Sequence, residues 1–258
     1  MTRLAMRIGQ AGLAAGLVAC GTETPPVEDR TAREPVAAPT SNYVTVEVVN
    51  GGTISGTVRY SGVVPAPRSF PVTDDAETCG PSQSIRSVVV GSRGGLADAV
   101  VSLVDIRRGE ALAVPPPPVL DQRGCRFTPH VLLVPAGVPV RVLNNDPLTH
   151  NVHTAAFENR SVNRSQPAGL EVIELDFESA EKVKVKCDLH PWMSAWIVVT
   201  DHPYHAITDG AGAFELPNVP PGEYTLETWH ESLGTIRQAV TILAGETLDL
   251  TVDLVAGD

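Results

Sequence analysis

The chain has 258 residues, of which 43% are hydrophobic and 19% charged, so it can form packed cores and is not a disordered protein. Acidic residues outnumber basic ones by 30 to 19, and the net charge of −11 argues against binding to nucleic acid, whose phosphates require a basic surface. Beyond the N-terminus no apolar stretch is long enough to span a bilayer as a helix, which excludes a multi-pass membrane protein.

The N-terminal residues predict export. Two arginines followed by a short apolar run occupy residues 1–19, which is the pattern of a secretory signal peptide. The run ends in Leu-Val-Ala-Cys, which resembles the lipobox of bacterial lipoproteins. The resemblance implies that Cys20 is lipidated and becomes the mature N-terminus. In an ordinary signal peptide Cys20 would be incidental.

Residues 20–42 predict a flexible tether, because they contain four prolines and no apolar period. Removal of residues 1–19 takes away two arginines and no acidic residue, so the net charge changes from −11 to −13. The expected location is the bacterial periplasm or cell envelope, with a lipid anchor as the only contact with the membrane.

From residue 43 onward, short alternating runs separated by turns predict an all-β protein. We expect a first domain at 43–200, which includes an N-terminal β extension, and a second, smaller domain at 201–258. The sequence leaves open whether residues 43–119 complete the first domain or form a module of their own.

The four cysteines predict one disulfide. If Cys20 is lipidated, three cysteines remain in an oxidising compartment. Cys79 and Cys125 lie in turn-like contexts and are expected to pair. Cys187 is then left unpaired.

Cys187 ends an alternating run, Lys-Val-Lys-Val-Lys-Cys, in which it shares the core face with the valines. His190 and Met193 follow at spacings of three, which places a thiolate, an imidazole and a thioether on one loop. These are ligands that copper prefers. A second histidine has to come from elsewhere. His150 and His153 point to opposite faces of an extended chain, and their spacing does not choose between them.

The loop and the upstream histidines together resemble the cupredoxin family of blue copper proteins, of the amicyanin and plastocyanin kind. The residues that carry the resemblance are His150-Asn151-Val152-His153 and Cys187-Asp188-Leu189-His190-Pro191-Trp192-Met193.

That resemblance covers about residues 125–200 and implies a Greek-key β-sandwich. It also implies one type 1 copper per chain, with the ligands His150, Cys187, His190 and Met193.

Two further roles follow from the same resemblance. Asn151 is expected to lock the ligand loop by hydrogen bonding near the cysteine. Electrons are expected to pass through an exposed edge of His190, beside Pro191 and Trp192.

Residues 208–226 resemble the carboxypeptidase regulatory-like domain, a prealbumin-type β-sandwich. That resemblance implies a fold for the second domain and no chemistry of its own.

The expected function is therefore a membrane-anchored, extracytoplasmic copper protein that shuttles single electrons and is not an enzyme. Its negative charge favours a partner with a basic docking face, such as a c-type cytochrome or a periplasmic dehydrogenase. Two alternatives stay open: a lipoprotein that stores, delivers or senses copper without electron transfer, and a β-sandwich surface scaffold.

Overall fold

The computed structural model describes residues 42–114, 116–169 and 172–255, so the predicted signal peptide and Cys20 lie outside the described residues. Within these ranges one α-helical turn, α1, spans Ala76–Cys79, and one 3-10 turn spans Ser92–Gly94. The strands, in chain order, are β1 Val44–Thr45, β2 Gly52–Tyr60, β3 Arg68–Pro71, β4 Ser82–Ile85, β5 Val100–Val104, β6 Arg108–Gly109, β7 Val119–Gln122, β8 Phe127–Thr128, β9 Val131–Pro135, β10 Val140–Asn144, β11 His150–Ala155, β12 Asn163–Gln166, β13 Ile173–Leu175, β14 Glu181–Lys186, β15 Ser194–Thr200, β16 His205–Ile207, β17 Ala213–Val219, β18 Gly222–His230, β19 Gly234–Ile242 and β20 Thr247–Leu254. The prediction of an all-β protein is confirmed. In the part of the chain that the structure describes, no helix is long and apolar enough to cross a membrane.

Strands β7–β15 form what we call the central sandwich. One of its sheets has the order β13-β10-β7-β8 and the other the order β12-β11-β14-β15-β9. Two pairs, β7 with β10 and β9 with β15, are parallel. Parallel neighbours cannot be joined by a tight turn, so the chain visits the opposite sheet between the members of each pair.

The core of the central sandwich follows from alternation along its strands. In β14, Val183 and Val185 are buried while Lys184 is exposed, as the sequence pattern predicts. In β10 of the facing sheet, Val140 and Val142 are buried in the same way. These side chains meet in one apolar cluster between the sheets, and the burial of such side chains is the main favourable term in folding.

A second sandwich, which we call the composite sandwich, is built from strands that precede and strands that follow the central sandwich in the sequence. Its sheets have the orders β17-β2-β20 and β16-β5-β18-β19. Strand β2 pairs along its length with β20 in parallel and with β17 in antiparallel fashion. Strand β5 pairs with β16 and β18.

This pairing corrects the expected domain order. The smaller sandwich does not simply follow the first at residues 201–258, because β2 and β5 supply one strand to each of its sheets. Neither alternative for residues 43–119 holds for these two strands. Alternation shows which face of a strand is buried, but it carries no information about the partner strand.

Residues 68–85, which we call the cap segment, lie between β2 and β5 in sequence but pack against the central sandwich. The segment contains the β3–β4 hairpin and α1. Val72 and Cys79 join the apolar cluster of the central sandwich. A disulfide joins Cys79 to Cys125, and Cys187 is a buried free cysteine, so the predicted pairing is confirmed.

The two sandwiches share an apolar and charged interface. Val100 of the composite sandwich packs against Val131 and Val198 of the central one, with Trp196 and Trp229 alongside. The two indole rings meet edge to face at 5.0 Å between centroids, a favoured aromatic geometry.

Candidate metal centre

The predicted metal ligands lie at one end of the central sandwich. His150 is the first residue of β11, Cys187 follows the last residue of β14, and His190 and Met193 occupy the turn before β15. Strands β11 and β14 are antiparallel neighbours, with His153 opposite Lys186. Because of this register, the start of β11 and the end of β14 lie side by side at the same end of the sheet.

The register also separates the two upstream histidines. His150 points into the core beside Val152 and is fully buried, at 0% exposure. His153 lies on the outer face, where its Nδ1 is 2.8 Å from a carboxylate oxygen of Asp188. The structure therefore brings His150, not His153, to the predicted centre, as the family resemblance implies.

The ligand turn is closed by its own backbone. The amide of Met193 donates to the carbonyl of His190 at 2.9 Å, and the amide of Cys187 donates to the carbonyl of Met193 at 3.2 Å. Met193 is buried at 1% exposure. These bonds hold the side chains of the turn in fixed relative positions.

Three ligand atoms converge. The Nδ1 atoms of His150 and His190 are 2.9 Å apart, and the sulfur of Cys187 lies 3.6 Å from Nδ1 of His190. All three side chains are buried, and their ligand atoms lie within 4.8 Å of one another. Cys125, Asp146 and His150 form a second group by the same distance criterion, but the sulfur of Cys125 is already bonded to Cys79.

The outer nitrogens of both rings face carboxylates. Nε2 of His150 is 2.8 Å from Asp146, and Nε2 of His190 is 3.2 Å from Asp75. Asp146 also accepts hydrogen bonds from the amides of Gly124 and Cys125, at 2.7 and 2.8 Å. Carboxylates in this position fix the tautomer of a metal-binding histidine and the orientation of its ring.

The surroundings of His150 favour a neutral ring beside an ionised carboxylate, and the main cause for the ring is burial. Burial lowers the pKa of His150 below its usual value, although the hydrogen bond to Asp146 opposes this effect. Burial by itself raises the pKa of Asp146, but hydrogen bonds from the Cys125 amide, the His150 ring and the Gly124 amide outweigh it, and the net pKa is lowered. A neutral imidazole is the form that binds a metal.

Asn151 joins the ligand loop to strands β11 and β12. Its amide N–H points at the sulfur of Cys187 at 3.4 Å, and its side-chain oxygen accepts a hydrogen bond from the amide of Asp188 at 2.5 Å. Its side-chain nitrogen donates to Asn163 at 2.6 Å. The residue thus makes the contacts near the cysteine that the family resemblance implies.

The expected exposed edge of His190 is not found. The residue is 2% exposed, and Trp192, at 7%, is buried as well. The indole of Trp192 donates to the carbonyl of Cys125 at 3.0 Å, and its ring lies 5.1 Å from that of His190. Of the three residues expected to form the electron-transfer surface, Pro191 alone is exposed. The cause is the cap segment, which places Asp75 against the outer nitrogen of His190.

Sequence reasoning missed both carboxylates. Asp146 lies four residues before His150, within a turn-forming Asn-Asn-Asp-Pro run, so its proximity was a usable signal. Asp75 is 115 residues away from His190, and no local pattern connects them.

Comparisons with known proteins agree with the two resemblances. Residues 183–255 match the family model of the carboxypeptidase regulatory-like domain, which covers β15–β20 and most of β14. No curated protein matches the chain.

Several solved structures match the chain in part. A copper-containing nitrite reductase from Thermus scotoductus SA-01 has 21% identity over 36% of this chain and 25% of its own, with a TM-score of 0.32. A purple cupredoxin from Nitrosopumilus maritimus has 21% identity over 32% of this chain and 99% of its own, with a TM-score of 0.28. Amicyanin from Paracoccus versutus has 18% identity over 39% of this chain and 97% of its own, with a TM-score of 0.29. The chain thus spans about a quarter of the length of the reductase.

Proposed function

We propose that this protein is an extracytoplasmic electron carrier that holds one type 1 copper ion through His150, Cys187 and His190, with Met193 as a weak axial ligand. One observation carries the proposal. Both buried imidazoles direct Nδ1 toward the cysteine side of the site and Nε2 toward a carboxylate.

The tautomers explain why this orientation favours a metal. A neutral imidazole carries a single N–H. When that hydrogen lies on Nε2, facing Asp146 in one ring and Asp75 in the other, both Nδ1 atoms present lone pairs. Two lone pairs 2.9 Å apart, next to a sulfur atom, are then available to bind one cation. The geometry therefore fits a metal held by two imidazoles and a thiolate.

The donor set favours copper over zinc. Two imidazoles and a thiolate with a thioether nearby form the set typical of blue copper electron-transfer sites. Structural zinc sites are built from cysteine and histidine, and a thioether is not among their usual ligands. Met193 ends the ligand turn and is buried beside the other three residues, which supports its role as the axial donor.

Burial and rigidity favour electron transfer over catalysis. Bound copper supplies a one-electron couple between Cu(I) and Cu(II). The chain excludes water from its ligands, and the backbone bonds of the turn, Asn151 and the two carboxylates hold those ligands in place. Ligands that keep one geometry in both oxidation states lower the reorganisation that accompanies electron transfer.

The location and partner of the protein belong to the same proposal. In this proposal, lipidation of Cys20 anchors the chain to a membrane of the cell envelope. The mature charge favours a partner with a basic face, a c-type cytochrome or a periplasmic dehydrogenase. Such contacts are small and transient.

The first test is Cu(II) titration of the full-length protein, followed by visible absorption. We expect an intense thiolate-to-copper band that saturates at one copper per chain. His150→Ala, Cys187→Ala and His190→Ala should each abolish the band, while the matched variant His153→Ala should retain it. Loss of the band in His153→Ala and its persistence in His150→Ala would contradict the ligand assignment.

Voltammetry separates the electron carrier from a storage, delivery or sensing protein. A reversible one-electron wave supports the carrier, whereas copper binding without such a wave supports storage. If the protein binds no copper at all, the scaffold alternative is favoured. Met193→Leu should keep the copper but raise the reduction potential, because a donor that stabilises Cu(II) is lost.

A further inference from the structure

The cap segment brings one charged side chain to the site. Asp75 lies directly before α1, and its carboxylate is 3.2 Å from Nε2 of His190. The His190 side chain is 3% exposed and that of Asp75 is 45% exposed, so the carboxylate lies between the ring and solvent. This contact is the outermost part of the candidate metal centre.

The carboxylate is directed to His190 and not to its own helix. An aspartate at the N-cap position usually accepts a hydrogen bond from the second or third amide of the helix. Asp75 makes no such side-chain bond, although its backbone carbonyl accepts from the amides of Thr78 and Cys79 at 3.0 and 2.8 Å. The backbone is thus held by the helical turn while the side chain is left to contact the ring.

One disulfide links the segments that carry or hold the two carboxylates facing the histidines. The turn that positions Asp75 ends at Cys79, which is bonded to Cys125. The amide of Cys125 donates to Asp146, the carboxylate that holds His150. The cap segment is therefore anchored to the same backbone that orients the other imidazole.

We propose that Asp75 is a positioning residue of the copper centre: it keeps the N–H of His190 on Nε2, so that Nδ1 faces the metal, and it covers the solvent edge of the ring. The proposal rests on the copper function described above. A carboxylate on the outer nitrogen orients the ring and places a negative charge near the metal. This charge stabilises Cu(II) relative to Cu(I), so Asp75 lowers the reduction potential.

The test uses two variants that tolerate the backbone at this position. Asp75 has φ of 62°, a left-handed conformation that glycine adopts freely and asparagine adopts more readily than most residues. Asp75→Gly removes the carboxylate, and Asp75→Asn keeps an oxygen acceptor without the charge. Asp74→Asn is the matched control, because Asp74 is exposed and its carboxylate accepts a hydrogen bond from the Thr73 hydroxyl at 3.2 Å.

The first measurement needs no metal. Nitrogen-15 NMR of the His190 ring in the copper-free protein should show the Nε2–H tautomer in the wild type, in Asp75→Asn and in Asp74→Asn. In Asp75→Gly the Nδ1–H tautomer should appear. An unchanged ring in Asp75→Gly would overturn the positioning role, whether or not the protein binds copper.

The second measurement is the midpoint potential of the copper-loaded proteins. We expect a shift to more positive values in Asp75→Gly and in Asp75→Asn, with no shift in Asp74→Asn. An equal shift in the control would mean that overall charge is responsible, and the proposal would then be wrong. If the wild type binds no copper, the proposed function fails, whereas the tautomer in the copper-free protein still decides whether Asp75 positions His190.

Discussion

Asp146 shows how one side chain supports the site from outside it. Its carboxylate accepts three hydrogen bonds, from the His150 ring and from the amides of Gly124 and Cys125, and it is buried. The carboxylate therefore satisfies backbone donors of the β7–β8 turn and fixes the ring of a predicted ligand. Outer groups of this kind orient the ligands of a metal site and tune their binding.

We expect Asp146→Ala to weaken both folding and copper binding. The loss leaves buried donors without partners, which costs about 1–3 kcal/mol for each such group, and it lowers metal affinity by about 10- to 100-fold. Urea unfolding of the copper-free protein and competition with a copper chelator measure the two effects. Asp121→Ala is the control, because Asp121 bonds to Asn145 at an exposed contact. Equal losses in the two variants would contradict the role of Asp146.

The cap segment is the element that covers the candidate metal centre on its solvent side. Its core contacts belong to the central sandwich, whereas the strands before and after it belong to the composite sandwich. The disulfide fastens the segment where its apolar contacts are few, namely Val72 and Cys79 with partly buried Phe70 and Ile85. The disulfide thus supplies the stability that so short a segment cannot gain from packing.

Replacement of both Cys79 and Cys125 by serine should lower the free energy of unfolding by about 4 kcal/mol, since the bond closes a loop across 46 positions. Chemical denaturation of this variant beside the oxidised wild type measures the loss. A thiol titration provides the independent check. The denatured, unreduced protein with Cys20 replaced should show one thiol, from Cys187, and three thiols would exclude the bond.

At the scale of the whole molecule, charged groups join the two sandwiches. His130 of the central sandwich lies 2.5 Å from Glu231 of the composite sandwich, and its other ring nitrogen faces the carbonyl of Ser194 at 3.2 Å. Burial lowers the pKa of His130, but the hydrogen bond to Glu231 and its charge reverse this effect, so the net pKa is raised. A protonated ring can donate to both acceptors, and a neutral ring to only one.

This contact predicts a pH dependence with a definite sign. Because the pKa of folded His130 is raised, its stabilising contribution is complete below the unfolded value of about 6.5 and is lost as pH rises through the folded pKa. We expect the stability difference between wild type and His130→Gln to shrink over that rise by about 1 kcal/mol. Urea unfolding of both proteins from pH 5 to pH 9 measures it. A difference that grows with pH would contradict the assignment.

The interleaved topology makes a second prediction at this scale. A chain that ends at Thr200 lacks β16–β20, so β2 loses both of its neighbours and β5 loses both of its own. Their apolar faces then meet water, at a cost of about 25 cal/mol for each Å² of apolar surface. We expect such a chain to aggregate or to lose cooperative unfolding, as measured by size-exclusion chromatography and circular dichroism. A stable monomer would show that the central sandwich folds without the composite one.

The sequence alone was sufficient wherever a signal is local. Alternation placed Val183, Val185 and Cys187 on the core face, and the structure confirms it. The count of cysteines and their turn contexts predicted the Cys79–Cys125 bond. Spacing on one loop grouped Cys187, His190 and Met193, because residues a few positions apart cannot be far apart in space.

Only the tertiary structure decided which distant segments meet. That β2 and β5 belong to the composite sandwich depends on strand pairing across as many as 194 positions, from Thr53 to Thr247, and backbone hydrogen bonds are the same for every sequence. The choice of His150 over His153 was supported only by family resemblance until the register of β11 against β14 placed one ring inside and the other outside. Asp75 reaches His190 because the cap segment folds back over the central sandwich. Pairing and packing between remote segments leave no periodic pattern in the sequence of either segment. For this reason the prediction that His190 has an exposed edge was wrong.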